Sequence, residues 1–294
     1  MGTSLENDER IVHWKTLSYD SLDEIERDLN FHPSKTKHPK RLTPEQVTLY
    51  NEKGYLAGIC VFDESTAIEN RQYFDKLLEQ TLAAGQDSYS ISTAHRKYHR
   101  VLEMATNPLI LDYVEDILGD QFVLWGTHFF CKMPGDGKTV SWHQDASYWP
   151  LTPSKTVTLW LAIDDADKEN AAMRVIPGSH LKGHLTWQLS EEAENNLLDQ
   201  TVHDAEQYGE APVDLILKAG EISMHSDLIL HGSKANTSTR RRCGLTMRYA
   251  SMDVRAYMGW NEKGVVCRGI NTEGNWADLP PPDRNDDVRY QGNT

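Results

Sequence analysis

From Phe122 onward the chain breaks into short runs rich in β-branched and aromatic residues: 122–133, 139–149, 156–163, 173–179, 212–232 and 243–250. Gly, Pro, Asp and Asn punctuate these runs, which predicts many short strands folded into a sandwich or barrel. The segment before Phe122 has the opposite character. Thr43-Pro44-Glu45-Gln46 joins a capping hydroxyl, Pro at the first helical position and Gln three residues after the cap, predicting a helix that stops at Gly54. A second helix follows Asp63 or Ser65, with Phe74, Leu77, Leu78 and Leu82 on one stripe and Gly85 as a left-handed stop. A third follows Asn107-Pro108, where Ile110, Leu111, Val114, Ile117 and Leu118 recur at helical spacing until Gly119.

With no linker between these halves, the expectation is one domain over residues 1–294. It divides into an N-terminal extension (1–41), a mostly helical layer (42–121), a β core (122–260) and a tail (261–294). The acidic, helix-prone stretch 189–209 is read as a surface insertion or lid, and the tail around Pro280–Pro282 as extended. Lys plus Arg total 30 against 44 Asp plus Glu, a formal charge of −14, which argues against a nucleic-acid partner. The longest apolar stretch, Tyr55 to Phe62, is too short to span a bilayer, and the N-terminus lacks a basic-then-apolar signal pattern. These features predict a cytoplasmic protein with no membrane partner, in which the Asn236-Thr237-Ser238 sequon arises by chance. Cys60, Cys131, Cys243 and Cys267 are widely spaced along the chain, which suits neither a disulfide framework nor a thiolate zinc site.

Two places carry metal-type chemistry. In Trp142-His143-Gln144-Asp145, strand alternation puts His143 and Asp145 on one face, so that an imidazole and a carboxylate can meet a single cation. Alone, the triplet is a weak signal and fits a hydrogen-bonded histidine at a half-buried strand end better than a metal site. The second place is Leu230-His231-Gly232-Ser233, followed by Asn236 and a returning strand that opens with Arg242. A His-x-Asp pair plus a distant His is the ligand set of the facial triad, which leaves positions on Fe(II) open for a bidentate cosubstrate and O2. A neighbouring Arg suits that cosubstrate's far carboxylate. His225 lies six residues before His231 and shares its face in a regular strand, so it competes for the distal position.

Taken together, the Trp142–Asp145 motif, Tyr148-Trp149-Pro150, Ile176-Pro177-Gly178-Ser179-His180 and Leu230–Ser233 with Asn236 and Arg242 resemble the phytanoyl-CoA dioxygenase family of Fe(II)/2-oxoglutarate oxygenases. The resemblance runs from about Leu42 to Ala250. It implies a mainly β fold, a double-stranded β-helix of jelly-roll, cupin-like type with flanking N-terminal α-helices. It also implies His143, Asp145 and His231 as iron ligands, with His225 as a core or supporting residue, and Arg242, eleven residues after His231, as the partner of 2-oxoglutarate. Ser233, Trp160 and His128 fall near the cosubstrate by the same comparison. His99 falls near the pocket by the same comparison, Gln144 between the ligands is a candidate either to support the iron site or to touch substrate, and Tyr148, Trp149, Trp142 and Phe130 are candidate apolar walls against the substrate.

In related halogenases the carboxylate is replaced by Ala or Gly, so Asp145 points to hydroxylation or a related oxidation. The implied reaction oxidises an unactivated C–H bond of a small, polar or zwitterionic metabolite with release of succinate and CO2. An acyl-CoA or secondary-metabolite oxygenase, and a cupin-like metal-binding protein without turnover, are the alternatives.

Overall fold

The computed structural model describes Leu22, residues 24–277 and residues 279–284; the N-terminal segment read for targeting signals lies outside them. The first helix, α1 (Pro44–Lys53), begins where its cap dictates. Thr43 Oγ1 accepts from the Gln46 amide at 3.2 Å, Gln46 Oε1 accepts from the Thr43 amide at 2.8 Å, and Gly54 ends the helix at φ +81°. Helix α2 (Glu64–Ala83) is capped by Asp63, and α4 (Pro108–Leu118) by Asn107. Between them lies α3 (His99–Ala105), a short helix that the sequence pattern does not announce.

The strands are β1 (Tyr55–Cys60), β2 (Phe122–Lys132), β3 (Val140–His143), β4 (Leu151–Thr152), β5 (Thr156–Ala162), β6 (Arg174–Val175) and β7 (Gln188–Leu189). They continue with β8 (Gln200–Thr201), β9 (Val213–Asp214), β10 (Glu221–His225), β11 (His231–Ser233), β12 (Arg242–Ser251), β13 (Arg255–Ala256) and β14 (Val265–Arg268). A major sheet runs β1-β10-β5-β12-β2-β14 and a minor sheet β3-β11-β6-β9, with antiparallel pairing throughout. The fold is a double-stranded β-helix of jelly-roll type, mainly β with helices packed on one side.

Period-two alternation sorts the major sheet into two faces. Leu159, Leu161, Leu245, Met247, Phe129 and Cys131 belong to the apolar cluster shared with Phe74, Leu77, Ile110 and Val114 of the helices. Burial of each such side chain contributes roughly 1.5–3 kcal/mol. The alternate residues, Thr158 and Trp160 of β5, Arg242, Thr246 and Arg248 of β12, and His128, Phe130 and Lys132 of β2, line a cavity of 290 Å³.

Three details depart from the sequence expectations, and a fourth, the cysteines, agrees with them. The apolar stretch after Gly54 is strand β1, which joins the major sheet beside β10 within the segment expected to be helical. The 189–209 insertion holds no α-helix; its first part pairs as the β7–β8 hairpin around a 3-10 turn at Glu192–Glu194, and a second 3-10 turn at Ala205–Tyr208 follows, because strand pairing overrides weak helix propensity. Leu198 from this insertion lines the cavity. The expected tail contributes β14, paired with β2, and a 3-10 turn over Trp260–Lys263. Cys131 and Cys243, far apart in sequence, are cross-strand partners, and both are buried free thiols.

Candidate active site

The site is assembled from the minor sheet on one side and the major sheet on the other. His143 closes β3 and His231 opens β11, and the two are register partners with ring centroids 4.1 Å apart. Gln144 keeps an extended backbone (φ −112°, ψ 131°), so alternation carries one residue beyond the strand before Asp145 opens a 3-10 turn over Asp145–Ser147. Asp145 therefore shares the face of His143 although it is outside the strand. Asp145 Oδ1 lies 4.0 Å from Nε2 of both His143 and His231. One ligand-type atom from each of the three residues lies within 4.8 Å of the others, and all three side chains are buried.

Local hydrogen bonds set the ring orientations. His143 Nδ1 lies 2.9 Å from the Ser141 carbonyl, and His231 Nδ1 lies 3.1 Å from the Ile229 carbonyl. A proton on each Nδ1, donated to its carbonyl, leaves each Nε2 lone pair directed at the shared space, the usual support for a metal-bound imidazole. Burial first, and then the charge of His231, hold His143 well below the ordinary imidazole value, so the ring stays neutral. Two imidazoles and one carboxylate fit a non-haem Fe(II) ion.

Arg27 Nη1 donates to the carbonyls of Ala146 and Trp149, both at 2.9 Å, clamping the segment that carries Asp145. His225 also faces this space. It is fully buried, its Nε2 is 4.0 Å from Asp145 Oδ2, and neither ring nitrogen has a hydrogen-bond partner. Burial pushes it down to about 3.

At one end of the cavity stands Arg242, 3% exposed, with Nη2 donating to Ser233 Oγ at 3.4 Å. Its guanidinium carbon lies 5.7 Å from the Trp160 ring centroid, and no described carboxylate pairs with it. Gly244 makes room for that indole, since a Cβ there would sit 2.0 Å from the Trp160 ring carbons. Asn236 Nδ2 donates to the Arg240 and Met133 carbonyls at 2.7 and 3.0 Å and so fixes the turn that delivers Arg242. A buried guanidinium without a counter-ion is costly unless an anion arrives to pair with it, which suits a cosubstrate carboxylate.

The family model described as phytanoyl-CoA dioxygenase (PhyH) matches residues 50–244. The chain belongs to the phytanoyl-CoA dioxygenase family. It is thus a 2-oxoglutarate-dependent oxygenase of the non-haem iron class, with Fe(II) and 2-oxoglutarate as cofactor and cosubstrate. Human peroxisomal phytanoyl-CoA dioxygenase is 26% identical over 251 residues, covering 76% of this chain and 74% of that protein. Among solved structures, the non-heme monooxygenase ThoJ superposes with a TM-score of 0.69 at 23% identity, over 80% of this chain and 88% of that one. EctD from S. alaskensis, solved with 2-oxoglutarate and 5-hydroxyectoine, gives 0.66 at 17% identity, over 79% of this chain and 85% of that one. These likenesses establish a shared fold. No helix among the described residues is long and apolar enough to cross a membrane.

The cavity brings together His143, Asp145, His231, Arg242, Ser233, Trp160, His128, Tyr148, Trp149 and Phe130. Three expected residues lie elsewhere. Gln144 points the opposite way from its neighbours in the strand, as alternation requires. Its amide donates to the Gly183 and Leu228 carbonyls and accepts from the Leu185 amide, so it is structural. Trp142, out of phase with His143 for the same reason, packs against the guanidinium of Arg174 at 5.3 Å. His99 starts α3 in the outer layer, with Nε2 3.3 Å from Glu103. Conversely, sequence reasoning missed Lys132, Arg248 and Lys263, three further cations that line the cavity. Arg248 was within reach, since it lies an even number of residues from Arg242 on one strand.

Proposed function

We propose that this protein hydroxylates an unactivated C–H bond of a small polar metabolite. In this reading His143, Asp145 and His231 hold Fe(II), and Arg242 holds the far carboxylate of 2-oxoglutarate. The observation that carries it is a buried arginine without a carboxylate partner in the same cavity as two imidazoles whose Nε2 atoms converge on one carboxylate. Bound there, iron and 2-oxoglutarate supply the oxidising chemistry that places oxygen from O2 on the substrate carbon, with succinate and CO2 as coproducts. Asp145 completes the ligand set that a hydroxylase keeps.

The protein's own part is positioning and exclusion of water. The Nδ1 contacts of His143 and His231 with backbone carbonyls hold both rings in one orientation, so donor positions are set before any ion binds. Ser233 steadies the Arg242 guanidinium from the side, and Trp160 gives the cosubstrate a flat apolar wall. Tyr148, Trp149, Phe130 and Leu198 make the remaining walls largely apolar. A cavity of 290 Å³, near the low end for small-molecule sites (~300–1,000 Å³), supports a metabolite-sized substrate over a complete acyl-CoA.

The test is an anaerobic titration with Fe(II) and 2-oxoglutarate, followed by the visible metal-to-ligand charge-transfer band of the chelate. The wild type develops the band, and Arg242→Ala needs at least about tenfold more 2-oxoglutarate, as loss of a charged hydrogen-bond partner implies. Bound iron without a band in the wild type overturns the cosubstrate assignment.

A further inference from the structure

Two cations that line the cavity, Arg248 and Lys263, have no role in the iron and cosubstrate site proposed above. Arg248 Nε is buried without an acceptor, and its side chain forms no ion pair or hydrogen bond with any described residue. Its guanidinium carbon instead lies 5.3 Å from the Trp149 centroid and 5.9 Å from that of Trp125. Lys263 Nζ sits 3.9 Å from the Trp260 centroid, and Trp260 packs against Trp125 at 5.6 Å. The backbone carbonyl of Lys263 lies 2.9 Å from Nε2 of the buried His95, which fixes the turn beside the sheet. Three indoles therefore frame a guanidinium and an ammonium that line a common cavity.

The rest of the molecule shows how unusual this is. Arg240 pairs with Asp167 at 2.7 Å, Arg241 with Asp164 at 2.8 Å, and Arg268 with Asp112 at 2.6 Å. With 44 acidic residues against 30 basic ones, carboxylates are plentiful, yet among the described residues Asp145 alone of them lines this cavity. An unpaired guanidinium held out of water is unfavourable unless a ligand neutralises it. Arg242 and Arg248 also serve opposite ends of the cavity. They are six residues apart on β12, about 20 Å along the strand, and the first leans on Trp160 while the second leans on Trp149. Arg248 lines the same cavity as His143, Asp145 and His231.

We propose that Arg248, with Lys263 beside it, is the subsite for an oxyanion group of the substrate, a carboxylate or phosphonate on an apolar carbon body. The anion pairs with the guanidinium, and the indoles of Trp125, Trp149 and Trp260 pack the adjoining carbons, which sets a C–H bond toward the triad. This rests on the oxygenase reading of the cavity, and it narrows the substrate from polar to anionic.

The experiment is calorimetry on protein loaded anaerobically with Fe(II) and saturating 2-oxoglutarate, titrated with hexanoate, hexylphosphonate and neutral hexan-1-ol. The wild type binds at least one of the two anions about tenfold or more tightly than the alcohol, as expected of hydrogen bonds to a charged group. Whichever anion wins identifies the oxyanion. Arg248→Gln removes that preference, Arg248→Lys restores part of it, and Lys263→Gln reduces it less. Equal binding of anion and alcohol by the wild type overturns the subsite. So does an undiminished preference in Arg248→Gln, or displacement of the 2-oxoglutarate band by either anion, which would place it at Arg242. The band separately tests the oxygenase reading: its absence in the wild type overturns that reading, while charge preference is still scored from the heats.

Discussion

The two sheets reach one cavity by different means. The major sheet uses long ladders: β12 and β2 are register partners from Arg242–Lys132 to Ser251–Phe122, interrupted by one irregularity after Arg248. Its other face is packed against helices, so register is fixed by a continuous apolar surface, and a slip of one residue would bury Arg242 and Arg248 among leucines. The strands of the minor sheet hold two to four residues, too few for pairing alone to fix a side chain. There the orientation comes from hydrogen bonds within the strand ends, such as His143 to Ser141 and His231 to Ile229, and from the Arg27 clamp. One sheet thus supplies stability and spacing of charges, and the other supplies locally aimed donor atoms.

Substitutions on the two sides should separate these roles. The largest effect is expected for His231→Ala: Fe(II) affinity falls by more than about a hundredfold, since even supporting groups of a metal site cost 10–100-fold. The metal-induced rise in melting temperature disappears with it, and retention of that rise would show that His231 is dispensable. Phe74→Ala probes the other side, where the ring is fully buried 4.8 Å from Phe129. It should cost about 3–5 kcal/mol in denaturant unfolding and leave metal stoichiometry intact. A loss of stoichiometric iron in the folded variant would mean that the two sheets are not separable.

Acid tests each region through a buried histidine. His95 lies 3.1 Å from Thr127 of β2, and His180, in the turn after β6, lies 3.0 Å from the Asn51 carbonyl; burial lowers both to about 4. The unfolded chain protonates these rings near pH 6.5 and the folded chain does not, so stability present above pH 6.5 is lost as pH falls toward 4. Each ring contributes a slope of up to about 1.4 kcal/mol per pH unit. Melting curves between pH 7 and 4.5 should flatten with His95→Gln or His180→Gln, and an unchanged slope in both would discard the assignment. The smallest effect is expected at the helix start, where Thr43→Ala removes one side-chain cap and costs about 1 kcal/mol in thermal unfolding, with no change in 2-oxoglutarate binding.

Much of this was legible because it is local. Thr43, Asp63 and Asn107 announce helix starts through bonds to residues two or three positions on, and Gly54 and Gly119 announce ends. Where local preference was weak, tertiary pairing decided. The 189–209 stretch has helix-compatible composition yet forms a hairpin, and the apolar run after Gly54 becomes an edge strand. Trp142 and Gln144 show a finer failure: both flank a candidate ligand in sequence, and alternation turns both away from it.

The sequence by itself determined the strand-rich class, the helix caps and the residue types able to bind a metal, because each depends on neighbours along the chain or on side-chain chemistry. Only the tertiary structure decided that His143 and His231 face one carboxylate, that His225 stands unpartnered beside it, and that Arg248 and Lys263 share a cavity with Arg242. Those relations join residues from different sheets and from a turn near the C-terminus. Their distances are set by register and packing across the fold, which local sequence does not encode.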